Sequence, residues 1–184
     1  RRQRQMCIRD SSQTYFDGAK TFDVLKILAC ADLNEATAQA KAEENGCEAM
    51  SIAGLLAHPE IQLVINLTIP AAHAAVSRDI LKAGKHAYCE KPLTVQLEDA
   101  QDLLVLAKSK GLLIGCAPDT FFGAGIQTCR EIVDSGEVGT ITSGTAFMLC
   151  AGPESWHPNP GFYYLLGGGP VFDMAPYYLT ALVN

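Results

Sequence analysis

From residue 24 onward, short apolar runs alternate with polar, helix-forming stretches. Residues 24–31 (V-L-K-I-L-A-C-A) end at Asp32 and read as a strand buried on both faces of a parallel sheet. Residues 34–45 read as a helix, with Asn34 able to cap its start and Gly46 to stop it. A short helix over 52–57 stops before Pro59, a strand covers 63–67, and a helix over 71–83 ends at Gly84. A third strand is expected over 85–89, and a fourth over 112–117. Between them, residues 95–110 place Leu97, Ala100, Leu103, Leu104 and Ala107 on one helical face, and a further helix over 124–135 stops at Gly136. Strands spaced by helices of this length predict βαβ units, hence an α/β fold with a doubly wound parallel sheet.

Past residue 139 the period changes. Residues 140–149 read as a longer, more exposed strand, followed by a loop of prolines, glycines and aromatics. One last helix is expected to begin after Gly167-Gly168-Gly169-Pro170 and to run to Asn184. Composition shifts too: thirteen of fourteen basic residues lie at or before Lys110, while ten of fourteen aromatics lie at or after Phe121. The earlier part therefore reads as scaffold and the later part as loops and pocket walls. Residues 1–11 hold four arginines and no periodicity, and are expected to be a non-native leader without function. The implied division is 1–11 as leader, 12–138 as a first domain, and 139–184 as the truncated start of a second.

Charge and cysteine content narrow the partners. A formal charge of −6, with no block of Lys or Arg, predicts no nucleic-acid and no anionic-membrane surface. No apolar run approaches the ~20 residues that cross a bilayer. Seven scattered cysteines show no C-x-x-C pair and no zinc spacing, so reduced thiols, no metal site and a cytoplasmic location are expected.

Candidate chemistry sits at strand ends. Asp32 can accept hydrogen bonds from the ribose hydroxyls of a dinucleotide and would repel a 2′-phosphate; a helix-capping Asp would look the same. In N-L-T-I-P-A-A-H, a strand end meets a helix N-terminus, placing Asn66, Thr68, Pro70 and His73 where a cofactor can lie; His73 could equally cap or pack. In A-G-K-H-A-Y-C-E-K-P-L, Glu90 and Lys91 stand at the carboxyl end of a strand, where ligands bind in such folds; a solvated ion pair is the plain alternative. Asp119 and Thr120 lie at the same edge. Trp156 and His157, among prolines, suit a sugar's C–H edges and hydroxyls, unless Trp156 anchors its loop to the core.

These segments, with D-S-G-E-V-G-T-I at 134–141 and G-G-G-P-V-F-D-M-A-P-Y at 167–177, closely resemble the glucose–fructose oxidoreductase / inositol dehydrogenase (Gfo/Idh/MocA) family over about residues 12–184. The resemblance implies a Rossmann domain with its first strand and Gly-rich loop lacking, then the start of a C-terminal α/β substrate domain whose sheet often makes homo-oligomers. It implies an NAD(P)-dependent oxidoreductase, NAD favoured and NADP possible, acting on a sugar, polyol or similar hydroxylated substrate. Lys91 matches the E-K-P lysine beside the nicotinamide, and Asp173 and Tyr177 match the D-x-x-x-H/Y positions. Lys91 is expected to lower the Tyr177 pKa so that the phenol can act as base, with Asp173 one helical turn away on the same face. An NAD-dependent glycoside hydrolase and a non-catalytic dinucleotide-binding regulator remain alternatives. Residues 1–184 by themselves are expected to be inactive and poorly stable.

Overall fold

The structure, a computed structural model, describes residues 12–155, 157 and 160–184. Helix α1 covers residues 12–19. The next elements alternate in type: β1 (Ala29–Cys30), α2 (Glu35–Asn45), β2 (Glu48–Ala49), α3 (Ile52–Ala57), β3 (Leu63–Asn66), α4 (Pro70–Lys82), β4 (His86–Cys89), α5 (Leu97–Ser109) and β5 (Ile114–Cys116). Every strand pair is parallel. β3, β4 and β5 form one sheet in that order, with Leu63 opposite His86 and Ala87 opposite Ile114. β1 and β2 form a separate pair, Ala29 opposite Glu48, and among the described residues no pairing joins β1 to β3.

Local chemistry accounts for the ends. The Asn34 side chain accepts from the Ala36 amide and starts α2, as its position predicts. Ser51 does the same for α3 through the Gly54 amide. α4 begins on Pro70, which costs no hydrogen bond at a first-turn position. Only two residues of the expected 24–31 strand pair with a neighbour.

β4 shows how the two sheet faces differ: the face that carries Tyr88 leaves Leu63 and Ile65 exposed. Ala87 and Cys89 are buried on one face, against α4 and α5, in a core of Ile80, Leu81, Ala87, Leu103 and Ala107. Leu97 and Leu104, expected on the buried face of α5, are exposed instead; Leu103 and Ala107 carry the contact. On the other face Tyr88 meets Tyr15 of α1 edge-on, ring centroids 6.4 Å apart. A side chain at Gly115 would come within 3.0 Å of the Tyr88 ring, so the neighbouring strand must be bare there. At the opposite end of β4, the buried Lys85 ammonium donates to the carbonyls of His58 and Ile61, both at 2.7 Å, and closes the α3–β3 turn.

Beyond β5 come a 3₁₀ turn at Thr120–Phe122, α6 (Ala124–Asp134), turns at Pro153–Ser155 and Pro160–Tyr164, then α7 (Gly169–Asp173) and α8 (Ala175–Val183). Two expectations are corrected here. Residues 140–149 form no strand, because among the described residues no second strand lies beside them to complete a ladder. The last helix is not continuous: it breaks at Met174, since Pro176 has no amide hydrogen and its ring crowds the preceding turn.

Candidate active site

The carboxyl ends of β3 and β4 and the α7–α8 break converge on one lysine. Lys91 follows β4 and is two-thirds or more shielded; its Nζ donates to the Asp173 carbonyl at 2.8 Å and forms an ion pair with Asp173 Oδ1. The same Nζ lies 5.5 Å from the centroid of the Tyr177 ring, a cation–π contact. Residues 82 apart in the chain thus meet as the E-K-P and D-x-x-x-Y motifs require.

Glu90 fixes the backbone of that lysine. Its Oε2 accepts from the Lys91 amide and its Oε1 from the Tyr15 hydroxyl, both at 3.0 Å, which ties α1 to this turn. Burial, reinforced by the Glu90 carboxylate, pushes the Tyr15 phenol far above its ordinary range. Tyr15 was not legible as a site residue, because only the tertiary fold brings helix α1 to the end of β4.

Tyr177 departs from expectation. Its pKa is pushed up to about 12, first by burial and then by the negative charges of Glu90, Asp119 and Asp173. The Lys91 ammonium, committed to Asp173 and seated under the ring rather than at the oxygen, does not offset them. The direction is opposite to the lowering expected from Lys91, and at neutral pH the phenol keeps its proton. Asp119, exposed on the loop before the 120–122 turn, contributes to this field; its charge also acts on Tyr15 and Tyr88.

The loop after β3 is shaped by two residues expected to touch cofactor. Asn66 is buried; its Nδ2 donates to the His73 carbonyl and Ser77 Oγ, and its Oδ1 accepts from the Thr68 amide and hydroxyl. His73 is 1% exposed, with Nδ1 2.6 Å from the Pro92 carbonyl and Nε2 2.8 Å from the Thr68 carbonyl. Both side chains are fully engaged with protein, so they build the loop and leave no polar atom for a ligand. Ser77, one turn beyond His73 on α4, was missed; its i+4 spacing from His73 was the available signal. Thr68 and Pro70 stand on that loop. Gly167, at φ +85°, presses against it: an added Cβ would lie 2.7 Å from Val95 and 3.5 Å from Pro70.

Two orphaned atoms bear on a dinucleotide. Asp32 Oδ1 accepts from the Asn34 amide at 2.7 Å, whereas its buried Oδ2 has no hydrogen-bond partner. Ser12 Oγ, at the start of α1, is likewise buried and unpartnered. A buried acceptor that protein leaves unsatisfied fits a ribose hydroxyl, and a helix N-terminus fits a phosphate. Residues 9–117 match the Gfo/Idh/MocA model of an oxidoreductase family with an NAD-binding Rossmann fold, and residues 126–184 match the same family's C-terminal domain.

The chain belongs to the Gfo/Idh/MocA family.

It is 31% identical over 172 residues to an uncharacterized oxidoreductase of Schizosaccharomyces pombe, covering 85% of this chain and 47% of that protein. It is 30% identical over 141 residues to the 1,5-anhydro-D-fructose reductase of Ensifer adhaerens, covering 73% of this chain and 41% of that one. The chain spans less than half the length of these curated relatives. Among solved structures, an NAD-binding protein from Listeria innocua shares the fold with a TM-score of 0.73 at 21% identity, over 93% of this chain and 50% of that one.

Of the remaining candidates, Trp156 lies outside the described residues, as do residues 1–11. His157 is half-buried after the Pro153–Ser155 turn, its amide donating to the Pro153 carbonyl at 2.8 Å. All six described cysteines are free, and burial raises the pKa of Cys89 to about 12 and of Cys116 to about 11. Among the described residues there is no metal-binding cluster, and no helix is long and apolar enough to cross a membrane.

Proposed function

We propose that this chain is part of an NAD(P)-dependent oxidoreductase that interconverts a hydroxyl and a carbonyl on a sugar, polyol or related hydroxylated substrate. The observation that carries the reading is Lys91 Nζ, held by Asp173 beside the Tyr177 ring at the carboxyl edge of the sheet. A relative named as a reductase of 1,5-anhydro-D-fructose supports a carbohydrate substrate. Asp32, with one free buried oxygen and a charge that would repel a 2′-phosphate, favours NAD over NADP.

When bound, the nicotinamide supplies or accepts the hydride. The residues of this chain handle the proton and the orientation. Asp173 holds the Lys91 ammonium by side chain and backbone, so its remaining N–H can address a substrate oxygen. Tyr177, protonated well above neutral pH, is a second donor on the same side. Two donors around one oxygen polarise a carbonyl and deliver the proton that completes its reduction. Asp119, Trp156 and His157 are the residues proposed to meet the substrate, and Thr68, Pro70 and Glu90 to border the cofactor.

The test is absorbance of reduced cofactor with a panel of keto sugars and polyols, on the protein and on Lys91→Ala. Loss of the lysine should lower turnover by about 10²–10⁴-fold. Release of sugar from glycosides without net cofactor turnover would instead identify a hydrolase, and binding without either reaction a regulator.

A further inference from the structure

His73 presents a proton-counting problem. A neutral imidazole has one N–H and one lone pair, yet both ring nitrogens here face carbonyl oxygens, at 2.6 Å and 2.8 Å. A carbonyl cannot donate, so the neutral ring satisfies one contact and sets lone pair against lone pair at the other. The doubly protonated ring satisfies both, and a charged donor strengthens each bond. With the ring 1% exposed, burial by itself disfavours the charge, so the two short carbonyl contacts must outweigh it.

The two carbonyls belong to different loops. Thr68 lies on the turn after β3, the stretch proposed to border the cofactor; Pro92 directly follows Lys91. Asn66 pins the near side of the first loop through Thr68, and its backbone carbonyl accepts from the Glu90 amide at 3.0 Å. We infer that His73 is a positioning residue: as an imidazolium anchored in α4, it joins the Thr68 loop to the Lys91–Pro92 turn and so sets where the Lys91 ammonium stands. The positioning role rests on Lys91 as the reacting lysine proposed above; the protonation state does not.

The ionisable groups on the surrounding elements are few. Glu90 and Lys91 follow β4, Cys89 ends it, and Asp173 closes α7 against Lys91. On α4 itself Arg78 pairs with Asp99 of α5. The N-terminal end of α4 disfavours a cation, so the charge depends on both carbonyls staying in place. Losing the proton from Nε2 or Nδ1 frees one loop.

The experiment is ¹⁵N NMR of ring-labelled histidine in the whole chain, followed across pH together with the backbone amides of Thr68 and Leu93. Two protonated ring nitrogens in the folded chain, and amide shifts that move with the same midpoint as the ring, are the expected result. A ring that is neutral at every pH at which the chain is folded would overturn the inference, and so would a ring that titrates without the amides. His73→Phe keeps a planar ring and removes both donors; kcat should fall by about 10- to 100-fold with KM changed far less. Unchanged kcat in that variant overturns the positioning role. If His73→Phe does not fold, the NMR titration decides alone, and if the unsubstituted protein shows no redox activity, the proposed function fails while the NMR result stands.

Discussion

The sheet of β3, β4 and β5 with α4 and α5, and the segment from residue 139 to Asn184, bury their apolar residues to opposite degrees. In the first, Leu81 and Leu103 are fully buried and Ile80 is 1% exposed. In the second, neither α7 nor α8 has a buried residue, and Leu149, Leu166 and Val183 stand at 80% exposure or more. Yet the proposed chemistry needs both: Lys91 comes from the packed region, Asp173 and Tyr177 from the open one. Among the described residues, the contacts that join the second to the first include the Lys91–Asp173 pair and Gly167 against Val95 and Pro70. Stability and site geometry are thus separable here, and substitutions can pull them apart.

The largest separation should come from Leu103→Ala, which removes a fully buried side chain and leaves a cavity; urea unfolding should show a loss of roughly 2–5 kcal/mol. Val183→Ala, at an 83% exposed position, should stay within about 0.5 kcal/mol. Equal losses at the two positions would erase the contrast. Next is Gly167→Ala, which forces a side chain onto a positive φ and against Val95; about 1–3 kcal/mol of strain should appear in the docking of 139–184 rather than in the core. Hydrogen exchange would show faster amides in α7 and α8 and unchanged ones in β4, and Val95→Ala should recover part of the loss.

The smallest effect is a pH dependence. Tyr177 ionises at about 12 in the fold against 10.0 unperturbed, so the fold prefers its protonated form. Below pH 10 both states hold the proton and the preference is fully expressed. Through the window from 10 to 12 the unfolded chain loses it first, and stability declines as pH rises. Tyr177→Phe should reduce that decline and leave the part contributed by Tyr15, which is raised further still, and the phenolate absorbance near the top of the window should lose one tyrosine. A tyrosine titrating below 10 in this position would restore the phenol as a base.

Local signals in the chain were sufficient for what depends on near neighbours. The Asn34 cap, the helix that stops at Gly84 and the strand ending at Cys89 all follow from residues within a few positions of one another. The E-K-P and D-x-x-x-Y motifs marked Lys91, Asp173 and Tyr177, and the fold brings these three together. What failed depended on partners far along the chain. The 140–149 pattern was strand-like, but a strand exists only beside another. The 97 and 104 positions sat on an apolar stripe, but the packed surface of α5 turned out narrower than that stripe. Pro176, by contrast, was a local signal for the break after α7.

The amino-acid order by itself determined the βαβ series, its caps and stops, because periodicity and turn geometry act over a few residues, and its motifs marked the lysine, aspartate and tyrosine that the fold brings together. Only the tertiary structure decided what surrounds them. Whether Tyr177 donates or accepts depends on burial and on Glu90, Asp119 and Asp173 arriving from three other segments. Whether His73 meets a ligand or joins two loops depends on carbonyls at Thr68 and Pro92. Electrostatic energy is set by distance through space, and that distance is what folding creates.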